Sequence, residues 1–437
     1  LKLTYERQKI NYYLRFATIM LVIVFFSSQC SKEKVKNKEA SKISKETTDF
    51  SNVAYTILND SFFVTLETAE IYAEHMNPSD TSYHGEEERE IESSYPILDE
   101  EEIPCMWVFN YDGGGWIILS ADYRSEPIMA YNDEGSFAPD TIPGGLGIWI
   151  DASIESINAL RSGSYNNYGN GTYAWETEHN NGGGFALLDG YGIARVPNDP
   201  IDPPCYNAAG PKKGPLVQTT WGQKCTYNSS TSSCANIYLC NHKYAGCVAT
   251  AVAQVLHYYV TGGGFNYSTM PLHNGNSNVS LLMKDIGDNV LMNYNCNKSG
   301  ALWNDYKKVF EDWYQYSNND YGNYSLSTVI SNIINNKPVI LKGCAIQNTT
   351  KEWWTLWQPV YDYEYCHAWV CDGVTSRYYC GNLQYDLLHM NWGWHEVDAT
   401  TLIPSENDRN GWYRYNNWTV SGINFQFAND MIYNITP

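Results

Sequence analysis

The chain has 437 residues, which is longer than one ordinary domain and leaves room for two folded units, each with its own core. Its 36 Tyr and 15 Trp, set against only 17% charged residues, favour a sheet-rich protein of extracellular type. The net charge of -20 is uneven: residues 1–48 hold 10 of the 28 Lys and Arg, so the body is strongly acidic and lacks the clustered cations that nucleic acid demands as a partner.

At the start, Lys2, Arg7, Lys9 and Arg15 precede a mostly apolar run over residues 16–26 that closes on Ser27, Ser28, Gln29 and Cys30. Such a run is too short to span a bilayer and reads as a processing signal. With the polar, Lys-rich stretch that follows, it resembles a bacterial lipoprotein signal. Residues 1–30 are then the signal, Cys30 the acylated residue, and residues 31–58 a polar tether to a bacterial membrane or cell surface. The alternative is an ordinary secretory signal with an incidental Cys30; both export the protein.

Residues 61–76 carry Phe63, Leu66, Ala69, Ile71 and Tyr72 at helical spacing, and an acidic stretch over 85–102 reads as a solvated loop. Around Tyr111-Asp112-Gly113-Gly114, aromatic and β-branched runs predict a hairpin. Residues 148–160 again have helical spacing, while 162–184, rich in Gly, Asn and Tyr, read as irregular. The proline-rich segment 200–213, ending in Lys212-Lys213, is the best linker and the expected place for a cut. Beyond it, Val248, Ala251, Val252, Val255, Leu256 and Tyr259 form one helix face opening at Cys247. Residues 337–342, 368–374 and 385–391 read as strands.

A thiol at a helix N-terminus is poised to ionise, because unpaired amides and the helix dipole favour the thiolate. It needs a histidine to pair with and a polar group to orient that ring. His367 and Asn391 follow Cys247 in the order of papain-like enzymes, each at a strand end. His257, His389 and His395 are rivals that spacing leaves open.

The segments Gly246-Cys247-Val248-Ala249-Thr250-Ala251-Val252-Ala253-Gln254, His367-Ala368-Trp369-Val370-Cys371-Asp372-Gly373 and Asn391-Trp392-Gly393-Trp394 resemble the three signatures of the streptopain family, peptidase family C10. Residues 115–122 and 130–135 are similar to the family's propeptide. The resemblance implies an α+β fold: a papain-like catalytic domain over 213–437, preceded by an α+β propeptide domain over 59–205 that acts as an intramolecular inhibitor until it is cut away. It implies a secreted cysteine endopeptidase acting on protein or peptide substrates, without cofactor or metal. Cys247 is then the nucleophile, His367 the general acid and base, Gln223 the oxyanion-hole donor, Asn391 the orienter of His367 and Trp392 its shield. Ser299 and Cys366 are the implied substrate-cleft residues. Where the family has Gly-Gly before its histidine, this chain has Tyr365-Cys366.

With Cys30 and Cys247 assigned, ten of the twelve cysteines remain for disulfides. Staples are expected among Cys225, Cys234 and Cys240 near Cys247, and among Cys366, Cys371 and Cys380 near His367. Competing readings are a zinc site built on Cys234, Cys240, His242 and Cys247 or on Cys366, Cys371, His389 and His395, a degenerate or adhesin-like surface protein, and a thiol amidase or transglutaminase. The zinc sets lack the paired spacings of known knuckles.

Overall fold

The computed structural model describes residues 62–77, 82–83, 89–138, 144–162, 175, 208–351, 359–379, 382–395, 409–414, 419–420, 423–424 and 430–437. The expected signal with Cys30, the tether, most of the stretch 162–184 and residues 200–207 lie outside them.

The first helix, α1 (Leu66–His75), is followed by four antiparallel strands: β1 (Ile91–Leu98), β2 (Pro104–Tyr111), β3 (Trp116–Ser120) and β4 (Ile128–Asn132). The expected hairpin joins β2 to β3, and its turn runs through Gly113, Gly114 and Gly115, all at positive φ, where a side chain is unfavourable. Strand alternation sends Trp107, Phe109 and Tyr111 toward α1, while Met106 and Val108 face α2 (Gly144–Arg161). Both faces are covered, which is why β2 is buried along its length.

Helices α3 (Cys247–Tyr259) and α4 (Ser277–Asn289) come next, then β5 (Asn318–Asn323) and α5 (Leu326–Ile334). The remaining strands are β6 (Val339–Lys351), β7 (Pro359–Tyr379), β8 (Asn382–Asn391), β9 (Gly411–Arg414) and β10 (Asp430–Thr436). One sheet runs β1-β2-β3-β4-β9-β8-β7-β6-β10-β5, and the seam between its halves is the pairing of Tyr131 with Trp412 and of Ala130 with Tyr413.

The sequence pattern gives α3 a single apolar face, yet every residue from Cys247 to Leu256 is buried. The sheet residues Ala368 and Val370 cover one side, and Val279, Leu282, Met283 and Ile286 of α4 close the other. Each large aliphatic side chain so enclosed contributes about 1.5–3 kcal/mol. On the opposite sheet face, α2 and α5 cover Leu341, Trp369 and Cys371, so a helix from the first half of the chain packs on strands from the second.

Within the linker segment, residues 208–213 are tied to β7. Gly210 and Lys213 donate to the Ser376 and Val374 carbonyls at 2.8 and 2.9 Å, and Val374 donates back to Lys213 at 2.8 Å. Leu216 donates to the Asp372 carbonyl at 3.0 Å and Val217 to its carboxylate at 2.8 Å. Strand β6 starts opposite Cys371, so β7 beyond that point has an open edge, and residues 208–217 fill it as a strap.

Candidate active site

Cys247 is the first residue of α3, and Gly246 before it sits at φ 95°. A Cβ at Gly246 would come within 2.8 Å of Met292, so the glycine meets both a backbone and a space requirement. Strand β7 brings His367 to this helix end, where its ring faces the Cys247 thiol. His367 Nε2 lies 2.9 Å from the Trp392 carbonyl, which can only accept, so Nε2 carries a proton and Nδ1 is left for the sulfur.

Burial alone would push the Cys247 thiol up; the facing His367 ring, its hydrogen bond and the Ala368 and Val248 amides outweigh it and hold the thiol below its ordinary range. For His367, burial pulls down, but the Cys247 sulfur, its hydrogen bond and the Trp392 carbonyl raise it overall. Both shifts favour a thiolate–imidazolium pair.

Asn391 does not meet His367. Its Nδ2 donates to the Thr219 carbonyl at 2.6 Å, and its Oδ1 accepts from Gln254 Nε2 at 3.2 Å and from the Gly393 amide at 3.3 Å. The reason is β8, whose end aims the Asn391 amide at the 219–221 segment and leaves the next carbonyl, that of Trp392, to take the ring. Gln223, buried beside them, donates from Nε2 to the Gly393 carbonyl at 3.2 Å. Gln254 Oε1 accepts from the Trp221 amide at 3.1 Å and from Thr219 Oγ1 at 3.3 Å. Hydrogen bonds therefore link Trp221 through Gln254, Asn391 and Gly393 to Gln223, and the backbone from Gln223 back to Trp221 closes the ring. Gln254 has no role in the sequence reading; the signal was an amide on an otherwise apolar helix, two turns after Cys247.

Trp392 packs its ring at 5.2 Å from Trp369 and 5.1 Å from Tyr413, and Trp394 stands edge-on to His367 at 6.0 Å. Ser299 lies beside Gly246, with its hydroxyl taking the Asn295 amide at 3.0 Å. The rivals go elsewhere: His389 Nδ1 meets buried Asp372 at 2.6 Å, and His257 packs against Trp221.

Among the described residues three disulfides flank the site: Cys225–Cys240, Cys234–Cys296 and Cys344–Cys366, the last immediately before His367. Cys371 is a free buried thiol, so the expected staple there does not involve it. With Cys234, Cys240 and Cys366 bridged, the first zinc set keeps only Cys247 as a free thiol and the second only Cys371.

From the first half of the chain, α2 caps this arrangement. A Cβ at Gly145 would fall 2.8 Å from the His367 ring and 2.7 Å from that of Trp392, so the helix backbone sits directly on both.

The family profile described as Peptidase C10 matches residues 221–270 and 260–398, which contain Cys247, His367 and Asn391. Over residues 221–398 the chain is of the peptidase C10 family. This C10 chain is a cysteine peptidase with a papain-like α+β fold. Its residues 61–157 match the profile described as Spi protease inhibitor. Streptopain of Streptococcus pyogenes serotype M1 is 23% identical over 337 residues, covering 66% of this C10 chain and 71% of the streptopain. A fragment of Prevotella intermedia prointerpain A aligns with a TM-score of 0.51 at 19% identity, covering 79% of this chain and 99% of the fragment.

Proposed function

We propose that this C10 peptidase is an exported endopeptidase made as a zymogen, with Cys247 as nucleophile and His367 as general acid and base. The observation that carries the reading is the placement of the His367 ring against the Cys247 thiol at the start of α3, with the ring held from behind by the Trp392 carbonyl. The thiolate adds to a peptide carbonyl carbon, and the oxyanion is received by the Cys247 amide and Gln223. His367 then gives its proton to the departing amine, leaving an acyl-enzyme. A water, deprotonated by His367, attacks the acyl carbon and frees the thiolate. One oxyanion donor is worth roughly 2.7–4 kcal/mol of barrier. Asn391 serves this chemistry by fixing the backbone that presents Trp392, while Ser299 and Cys366 border the substrate.

Residues 59–205 act as the propeptide and 213–437 as the catalytic unit; Gly145 on His367 and the Spi-type match support latency. Streptopain and prointerpain A, as peptidase relatives, support protein substrates. Attachment through a lipid on Cys30 is part of the same reading.

The test is an epoxide probe for cysteine peptidases, applied to the full chain and to its processed form. Labelling of Cys247 that rises on processing is expected. Equal labelling and equal cleavage by Cys247→Ala would overturn the assignment.

A further inference from the structure

Residues 213–437 contain 10 Lys but only three Arg: Arg377, Arg409 and Arg414. All three are directed at residues 126–138. Arg377 Nη2 meets the Glu126 carboxylate at 2.7 Å, and Arg414 Nη2 approaches the same oxygen at 3.9 Å. Arg414 Nε donates to the Ile128 carbonyl at 2.7 Å, and Arg409 Nε and Nη2 donate to the Ala138 carbonyl at 3.2 and 3.1 Å. Beneath this cover Arg409 and Arg414 are only 2% and 4% exposed. A fourth cation, Lys212 Nζ, stands 4.5 Å from the Trp412 ring.

The covering segment is opposite in charge: residues 61–157 hold 21 Asp and Glu against 2 Arg. It also supplies a strand, since β4 completes the edge of β9. Departure of the propeptide therefore takes the Glu126 carboxylate from Arg377 and Arg414 and the Ile128 and Ala138 carbonyls from Arg414 and Arg409, and leaves β9 with an unpaired edge beside them. A planar guanidinium fork matches a carboxylate, and an open edge matches extended backbone.

The edge leads to the chemistry. From Arg414, β9 runs back to Asn410, roughly 13 Å away at strand rise, and Asn410 Oδ1 accepts the Trp392 amide at 2.9 Å. The propeptide follows this track itself, from Glu126 at the arginines through β4 to Gly145 on His367.

We propose that in the processed enzyme this edge is a docking site for an extended, acidic segment of a protein substrate, which adds beside β9 with a carboxylate between Arg377 and Arg414. The inference rests on the proposed removal of residues 59–205.

The experiment uses the processed enzyme and pairs of peptides with one cleavable core, each pair carrying Glu or Gln at one position. Positions are scanned over about ten residues on either side of the scissile bond, the span that reaches β9 in extended form. At the best position the Glu peptide is expected to have a kcat/KM on the order of tenfold higher at low salt, through KM, and to lose the advantage as salt rises. The Glu-to-Gln ratio should collapse to about one in Arg414→Gln and Arg377→Gln and persist in part in Arg414→Lys. A wild-type ratio of one at every position overturns the site, whether or not the variants fold, as does a ratio unchanged by the double Gln substitution. If no peptide is cut and Cys247 resists the epoxide probe, the peptidase reading itself fails and takes this inference with it.

Discussion

Gln254 is the residue whose replacement tests the site most sharply. It is fully buried, and its amide holds Trp221 and Thr219 on one side and Asn391 on the other. Gln254→Met keeps the volume and removes all three bonds. The Trp221 amide is then left buried without its acceptor, which costs about 1–3 kcal/mol in stability. The larger effect falls on catalysis, because the 221–223 segment carries the proposed oxyanion donor, Gln223, and Asn391 precedes the carbonyl that meets His367. A loss of about 1.4–2.8 kcal/mol in transition-state stabilisation lowers kcat roughly ten- to a hundredfold, with KM little changed because Gln254, fully buried, does not itself reach the substrate. Gln254→Glu separates positioning from folding. Its carboxylate accepts from Trp221 but repels Asn391 Oδ1, and protonation restores the missing donor, so its kcat should recover relative to wild type as pH falls. The assay is steady-state cleavage by processed enzyme across pH, with denaturant melts of each variant. Wild-type kcat in a folded Gln254→Met, or a Glu variant without pH-dependent recovery, would refute the reasoning.

Gln223→Ala should lower kcat by about 10²–10³ while Cys247 still reacts with a thiol probe, since the ion pair does not need the oxyanion donor; loss of labelling in step with kcat counts against the role. The pH profile of kcat/KM should be bell-shaped. Its acid limb is set by Cys247, whose thiolate is protonated only below a pKa lowered from 9.0, and its alkaline limb by His367, whose imidazolium persists above 6.5. A single rising limb near 9.0 would contradict the pair. Gly145→Ala drives a methyl into His367 and Trp392, so the full chain should be labelled at Cys247 faster than wild type; slower labelling would speak against α2 as the cap.

Much of the site is legible in the sequence, and the exceptions share a cause. A helical face opening at Cys247 and a strand through His367 make their meeting legible, although spacing alone leaves His257, His389 and His395 as rivals and the family signatures are what single out His367. Side-chain direction at the end of β8 is not encoded that way. Asn391 and the Trp392 carbonyl are adjacent, and which of them meets the ring depends on where the 219–221 segment lies, a contact made 172 residues away in sequence. Disulfide partners are hidden for the same reason: Cys296 is 62 residues from Cys234, and Cys344 is 22 from Cys366. The strap was obscured differently. Gly and Pro content marks residues 200–213 as linker, but only the early end of β6 reveals that β7 has an edge for its second half to occupy.

The overlapping bridges Cys225–Cys240 and Cys234–Cys296 have a bearing on the enzyme's survival among its own copies. Exposed loops are where a peptidase is first nicked. Because the two spans interlock, any single cut between Cys225 and Cys296 leaves the pieces covalently joined, and the wall that carries Ser299 stays tethered to the segment after Gln223. A molecule damaged there by a neighbour keeps its cleft in one covalent body.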